Sequence, residues 1–205
     1  MKINNIEIGY GHPTFCIAEA GINANGSVDI AKQLIDIAIN AGASVIKFQK
    51  RTIELNYTPE ELAQPRESPF GNTNGDLKRA LEFGEKEYVE IDRYCREKGI
   101  LWTASAWDIL SVDFLEQFDI PFHKIPSARN NDIELIKYIA KTGKPVIMSC
   151  GMSNIVEINN AVSLLNEETL TLMVCTANYP ANLKDLHLYR IQTLQKPPGN
   201  NIRKH

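Results

Sequence analysis

Six short apolar runs recur along the chain and alternate with segments of helical periodicity. Each run is rich in β-branched or aromatic residues and is too short for a helix. Because the runs are almost continuously hydrophobic, they predict strands buried on both faces, as in a parallel sheet covered by helices. The predicted strands are Phe15–Ala18, Ser44–Phe48, Ile100–Thr103, Phe122–Ile125, Pro145–Met148 and Thr169–Val174.

Four of the intervening segments have apolar residues at helical spacing, near residues 30–41, 88–95, 135–140 and 158–165. Gly42, Gly99 and Gly143 each stand between such a segment and the next strand, where a left-handed helix cap belongs. Asn154 and Glu157 form a predicted capping pair at a helix start. The βα alternation predicts an α/β fold of the (β/α)8 TIM-barrel type. The predicted barrel is incomplete, with about six βα units, because a full barrel typically takes about 250 residues and this chain has 205.

Composition narrows the class of protein. The 205 residues are 43% apolar and 23% charged with a net charge of -3, which is typical of a globular protein and argues against a nucleic-acid partner. No apolar run approaches the length of a membrane span, and the first residues lack a signal peptide's apolar region. The four cysteines form no close pair, so we interpret them as reduced. We therefore predict a cytoplasmic protein without a membrane partner.

Two segments depart from the βα alternation. Residues 52–84 contain three prolines and predict a long loop, either lying over the active face or forming a mobile surface insertion. Residues 195–205 are polar and rich in helix breakers. The predicted organisation is a partial barrel over residues 1–194 followed by an irregular tail. We expect either a partner that completes the fold or a truncated or frame-shifted product.

Two lysines end otherwise apolar predicted strands. Because an unpaired buried ammonium is costly, Lys47 and Lys124 predict an anionic ligand at the rim where the carboxyl ends of barrel strands meet. The alternative is a structural ion pair between such a lysine and a barrel carboxylate such as Glu19.

Several polar residues follow the strands and are candidates for the same rim. Ser105, Ser127 and Ser149 carry hydroxyls that can donate to phosphate or carboxylate oxygens, although serines at strand ends also serve as turn formers or caps. Glu19 can bind sugar hydroxyls or move a proton. Tyr179 can line the cleft, or it can be a packing anchor before Pro180.

The histidines give no sign of a metal site. His12, His123, His187 and His205 lack paired metal-ligand spacing. We therefore predict no metal ligands in this chain.

Five motifs carry a family resemblance from about Phe15 to Leu194. They are E-A-G-I-N from Glu19, K-F-Q from Lys47, K-I-P-S from Lys124, S-C-G-M from Ser149 and C-T-A-N-Y-P from Cys175. Together they resemble the sialic acid synthase (N-acetylneuraminate synthase) family. The resemblance implies condensation of phosphoenolpyruvate with an N-acyl amino sugar such as N-acetylmannosamine, with release of phosphate.

The resemblance also implies a role for each candidate residue. Glu19, Lys47 and Lys124 are the implied catalytic residues. The implied phosphoenolpyruvate contacts are Lys47, Gln49, Ser105, Lys124, Ser127 and Ser149. The implied sugar contacts are Glu19, Tyr179 and, in the long loop, Asn72 or Asn74. Arg129 and Ala177 replace residues common in the family, which leaves the sugar preference open.

The full-length family is expected to use a divalent metal, Mn or Mg, and to form a homodimer. Its metal-binding histidines lie in later barrel segments that nothing after Leu194 resembles, and its carboxyl-terminal antifreeze-like domain is absent. We therefore expect the 205-residue form to have impaired activity or none. Two alternatives stay open: a non-catalytic protein that binds phosphoenolpyruvate or a sugar phosphate, and an aldolase that uses Lys124 as a Schiff-base nucleophile.

Overall fold

The computed structural model describes residues 1–195, so most of the predicted tail, from Lys196 on, lies outside the described residues. The chain divides into two compact units, which are described in turn. The first is Lys2–His123, and the second begins at Lys124 and includes Met1.

A parallel three-stranded sheet forms the centre of the first unit. A short hairpin of β1 and β2 precedes it, and β4 lies between β3 and β7. Glu19 of β3 is in register with Lys47 of β4, which is in register with Thr103 of β7. The three predicted strands of this unit are confirmed. The strands are β1 Lys2–Ile3, β2 Ile6–Glu7, β3 Ile17–Gly21, β4 Val45–Lys50 and β7 Leu101–Ala106.

The three longest helices of this unit are α1 Val28–Asn40, α5 Glu85–Lys98 and α6 Ile109–Glu116. Helix α1 begins where the Ser27 hydroxyl accepts a hydrogen bond from Ile30 N, and α5 ends at the predicted left-handed Gly99. The sequence analysis missed α6. Apolar residues occur all around this helix, so its sequence lacks the amphipathic period that marks the others.

The segment after β4 is folded, so the prediction of a long loop over residues 52–84 was wrong. It contains α2 Ile53–Asn56, α3 Pro59–Ala63, the hairpin of β5 Pro65–Ser68 and β6 Gly71–Thr73, and α4 Asn74–Ala80. Capping boxes begin α3 and α4. Each element is too short for its hydrophobic period to show in the sequence, which explains the error.

The aromatic core of the first unit surrounds Tyr88, which is fully buried. Its hydroxyl donates to the carbonyl oxygen of Gln49 at 2.8 Å. This bond ties α5 to the end of β4, two residues beyond Lys47. The aromatic rings around Tyr88 are those of Phe48, Phe83, Trp102, Phe114 and Phe118.

The second unit contains the three remaining predicted strands, all confirmed. They are β8 His123–Ile125, whose first residue closes the first unit, β9 Val146–Ser149 and β10 Leu170–Met173. The central strand is β9, and β9 and β10 are parallel. The helices are α7 Ile133–Lys141, α8 Ile155–Val162 and α9 Arg190–Leu194.

Two details of the second unit follow the sequence analysis. Helix α8 begins with the predicted capping box of Asn154 and Glu157. Gly143 has the left-handed backbone expected of a helix cap. Within residues 1–195, no helix is both long and apolar enough to cross a membrane.

Candidate functional site

Lys47 lies at the centre of a polar cluster on three neighbouring strands. Its side chain is buried, its Nζ donates to Ser105 Oγ at 3.0 Å, and it forms an ion pair with the Glu19 carboxylate. The structure thus contains the ion pair that the sequence analysis held as an alternative to ligand binding. Burying the ammonium is costly, and the Glu19 carboxylate offsets that cost.

Gln49 joins this cluster beside Gly21. Gly21 has φ +54, and a Cβ on it would lie 3.0 Å from Glu19 Oε1 and 3.6 Å from Gln49 Nε2. We call Glu19, Lys47, Gln49 and Ser105 the Lys47 cluster. The cluster therefore combines ammonium, amide and hydroxyl donors with a carboxylate acceptor. The donors suit an anionic substrate, and the carboxylate can accept a proton from it.

Lys124 lies at the centre of a second cluster in the other unit. Its side chain is buried, and its Nζ donates to Ser149 Oγ at 2.6 Å and to the Ile125 carbonyl oxygen at 2.8 Å. The Ser149 hydroxyl is also 3.4 Å from Cys175 Sγ. Ser127 Oγ accepts a hydrogen bond from Gly151 N at 3.0 Å. We call Lys124, Ser127, Ser149 and Cys175 the Lys124 cluster, and its ammonium, hydroxyls and thiol lie at or just after the ends of β8, β9 and β10.

Three residues that the sequence analysis did not select hold the chain after β9 in place. Asn130, which is buried, donates to the Ser149 carbonyl oxygen at 2.9 Å and contacts the Ser153 hydroxyl. Arg190 Nη2 donates to the Cys150 carbonyl oxygen at 3.2 Å. The motif R-N-N-D around Asn130 is typical of an ordinary turn, so no local sequence signal indicates that Asn130 holds the chain after β9.

Cys150 is a second thiol close to Cys175 of the Lys124 cluster. Burial raises the pKa of the Cys150 thiol to about 11, and the neighbouring Cys175 adds to that shift. Cys150 therefore stays protonated at neutral pH, as expected of a cysteine that serves as a small apolar residue.

The candidate sugar contacts lie on other segments. Asn72 is exposed on β6, whereas Asn74 opens α4 and donates from Nδ2 to the Glu61 carbonyl oxygen at 3.0 Å. Tyr179 is 97% exposed, so its interpretation as a packing anchor was wrong. The structure does not bring Tyr179 into the packed core of its unit.

The described residues do not fit a divalent metal. Across residues 1–195, no three His, Cys, Asp or Glu side chains form a group that could hold a metal ion. His123, which is fully buried, has its Nε2 3.0 Å from Glu116 Oε1. The metal that the resemblance implies is therefore assigned to no residue of this chain.

Gly151 leaves no room for a side chain beside the Lys124 cluster. A Cβ there would lie 2.9 Å from Ser127 Oγ and 3.1 Å from the Cys175 carbonyl oxygen. We expect Gly151→Ala to displace the Ser127 hydroxyl and, with phosphoenolpyruvate as the probe that the family resemblance implies, to weaken binding about tenfold, at a stability cost of about 1 kcal/mol. Equilibrium dialysis and urea unfolding measure the two effects.

Gly143→Ala is the matched control for this substitution. Gly143 has φ +71 and no atom within 4 Å of its hypothetical Cβ. Alanine there costs about 1 kcal/mol of backbone strain without touching Ser127. Equal losses of binding in the two variants would mean that the Ser127 position is irrelevant to the ligand.

Comparisons with known proteins agree with the motifs. Residues 34–201 match the model of the NeuB family. The chain is 35% identical over 193 residues to N-acetylneuraminate-9-phosphate synthase of Homo sapiens, covering 92% of this chain and 54% of that protein. It is 32% identical over 204 residues to N,N'-diacetyllegionaminic acid synthase of Legionella pneumophila, covering 94% of this chain and 57% of that protein. The chain thus spans about half the length of these curated relatives.

The fold comparison covers nearly the whole chain. The crystal structure of N-acetylneuraminic acid synthetase from Leptospira borgpetersenii in complex with citrate matches with a TM-score of 0.83 and 31% identity, covering 95% of this chain and 65% of that one. This likeness confirms the predicted fold class, an incomplete barrel of the (β/α)8 type. The match to the family model extends over most of the sequence, and the chain therefore belongs to the NeuB family.

Proposed function

We propose that this chain binds phosphoenolpyruvate and serves its condensation with an N-acyl amino sugar such as N-acetylmannosamine to a nonulosonic acid. One observation carries the proposal: a chain of the NeuB family has two buried lysines, and each donates to a serine hydroxyl at a strand end. Phosphoenolpyruvate carries a phosphate and a carboxylate, and a buried ammonium beside a hydroxyl can neutralise either of these groups.

The residues of the Lys47 cluster would exchange partners when substrate binds. The Lys47 ammonium moves from Glu19 to an oxygen of phosphoenolpyruvate, with Ser105 as its neighbour. The Glu19 carboxylate is then free to hydrogen-bond a sugar hydroxyl or to handle a proton. Within the second unit, Lys124, Ser127 and Ser149 offer an ammonium and hydroxyls of the same kind to an anionic oxygen.

Held in place, the two substrates react without a bimolecular encounter in solution. The methylene carbon of phosphoenolpyruvate attacks the aldehyde carbon of the open-chain sugar, and the aldehyde oxygen gains a proton. Water adds at the phosphate-bearing carbon, and the carbon–oxygen bond to phosphate breaks. One phosphoenolpyruvate, one amino sugar and one water thus yield one nonulosonic acid and one phosphate.

The expected partners are therefore small molecules. Because the chain spans only about half of its curated relatives, both the reaction and the substrates are proposals for this chain. The homodimer is implied for the full-length family by the resemblance, and the cytoplasmic location stays a prediction from the sequence.

The test combines phosphate release with product detection. The chain is incubated with phosphoenolpyruvate, N-acetylmannosamine and manganese, and the products are analysed by mass spectrometry. Equal amounts of phosphate and nonulosonic acid support the condensation. Binding of phosphoenolpyruvate without phosphate release supports the non-catalytic alternative, and no binding at all overturns both. A borohydride reaction with pyruvate that leaves Lys124 unmodified removes the Schiff-base alternative.

A further inference from the structure

The ends of β4 and β7 carry two neighbouring members of the Lys47 cluster. Gln49 is in register with Ser105, and the last residues in register are Lys50 and Ala106. Trp107 N then donates to the Lys50 carbonyl oxygen at 3.1 Å. Both strands end at this point, so the backbone ladder between them ends here as well.

The Asp108 carboxylate joins the two chains beyond the end of this ladder. Its Oδ2 accepts from Thr52 N at 2.7 Å and from Asn56 Nδ2 at 2.6 Å. Its Oδ1 accepts from the Thr52 hydroxyl at 3.0 Å. Three hydrogen bonds thus connect the start of the folded segment after β4 to one side chain that follows β7.

Asp108 also caps helix α6, because its Oδ1 accepts from Ser111 N at 2.8 Å. Burial raises the pKa of the Asp108 carboxyl, but the hydrogen bonds from Thr52 and Ser111 outweigh that effect, and the pKa is lowered from its ordinary value. The carboxylate is therefore charged at neutral pH, which strengthens the hydrogen bonds that it accepts. A helix cap requires only the bond to Ser111, so the three bonds to Thr52 and Asn56 need a separate explanation.

A second carboxylate, that of Glu82, holds the chain between Lys50 and Thr52. It accepts from Arg51 N at 2.9 Å, from Arg51 Nε at 3.2 Å and from Lys50 Nζ at 3.2 Å. The Arg51 and Glu82 side chains are only 6% and 9% exposed. The three residues that follow Gln49 are therefore all fixed by groups outside β4, namely by Trp107 N, Glu82 and Asp108.

We propose that Asp108 is a positioning residue for the Lys47 cluster. By holding the chain after β4 against the chain after β7, it keeps the Gln49 amide and the Ser105 hydroxyl at a fixed separation. An anion that contacts both groups binds more weakly when that separation varies, because the groups must then be ordered during binding. This inference rests on the proposed function, because phosphoenolpyruvate is the ligand whose binding would be affected.

Asp108→Ser separates the two roles of this residue. Serine is also a preferred N-cap residue, so it can keep the bond to Ser111 N, but it is too short to replace the bonds to Thr52 and Asn56. We expect the affinity of the folded chain for phosphoenolpyruvate, measured by isothermal titration calorimetry, to fall about tenfold.

Substitutions at Thr52 test the same connection from the other side. Thr52→Val keeps the shape of the side chain and removes only the hydroxyl that donates to Asp108, so the affinity is expected to fall about threefold. Thr52→Ser keeps the hydroxyl and is expected to retain the parental affinity. Thr52→Val added to Asp108→Ser should cause no further loss, because the connection is already broken.

Thr58→Ala is the matched control. Thr58 caps α3 in the same folded segment, where its hydroxyl accepts from Glu61 N at 3.2 Å, and its loss leaves the bonds to Asp108 in place. Urea unfolding should show a lower stability for both Thr58→Ala and Asp108→Ser. Only Asp108→Ser should change the affinity of the folded chain for phosphoenolpyruvate.

Parental affinity in folded Asp108→Ser would overturn the inference. So would equal losses in Thr52→Val and Thr52→Ser, or a loss in Thr58→Ala as large as that in Asp108→Ser, because the affinity would then follow stability alone. In each of these cases the parent chain still binds phosphoenolpyruvate, and the proposed function stands. A parent chain that does not bind phosphoenolpyruvate would contradict both the proposed function and this inference.

Discussion

Lys124→Met is expected to weaken phosphoenolpyruvate binding about a hundredfold, and Lys47→Met is expected to do the same. Both ammonium groups are buried, so each interacts with an anion with little screening by solvent. Removing one partner of a buried, hydrogen-bonded charge pair costs about 2–5 kcal/mol, and a hundredfold change corresponds to about 2.7 kcal/mol. Equilibrium dialysis with labelled phosphoenolpyruvate measures the loss.

Lys137→Met is the matched control, because this lysine is exposed on α7 and forms a surface salt bridge with Glu134. It should bind phosphoenolpyruvate as the parent does. Methionine is about as long as lysine and suits a buried position, and the Glu19 carboxylate that loses its partner in Lys47→Met is half exposed to water. The variants are therefore expected to fold, which circular dichroism verifies. Parental affinity in folded Lys47→Met and Lys124→Met would show that neither lysine contacts the ligand.

Tyr88→Ala is expected to destabilise the protein by about 4 kcal/mol. The ring is fully buried and contacts five other aromatic rings. Truncation removes this packing and leaves a cavity, which costs about 3–5 kcal/mol for a large aromatic residue. Urea unfolding followed by circular dichroism measures the change.

Tyr88→Phe separates the ring from the hydroxyl. It keeps the packing and removes only the hydrogen bond to the Gln49 carbonyl oxygen, so the expected loss is about 1 kcal/mol. Similar losses in the two variants would contradict the account, because the hydroxyl and not the ring packing would then stabilise this core.

The sequence predicted the strands well because they are continuous apolar runs. Buried parallel strands such as β4 and β9 need no partner to be recognised, since burial on both faces is visible in their composition. Helix α6 was missed for the opposite reason, because apolar residues on all of its sides hide the helical period. The segment after β4 was misread because its prolines and glycines start and end very short elements.

The residue types of the candidate site could be read from the sequence, whereas the Glu19 partner could be named only as an alternative and the serine partners could not be named. A lysine at the end of a buried strand indicates an unusual need for charge, and this singled out Lys47 and Lys124. The pairing of Lys47 with Glu19 depends on the register between β3 and β4, which the sequence does not reveal. Asn130 and Arg190 act through hydrogen bonds across loops, which leave no pattern along the chain.

Calorimetric titration of the parent chain with phosphoenolpyruvate tests the central claim most directly. The account predicts one molecule bound per chain, and a loss of that binding in both Lys47→Met and Lys124→Met. A parent chain that releases no heat of binding, or full binding in the two folded variants, would contradict it.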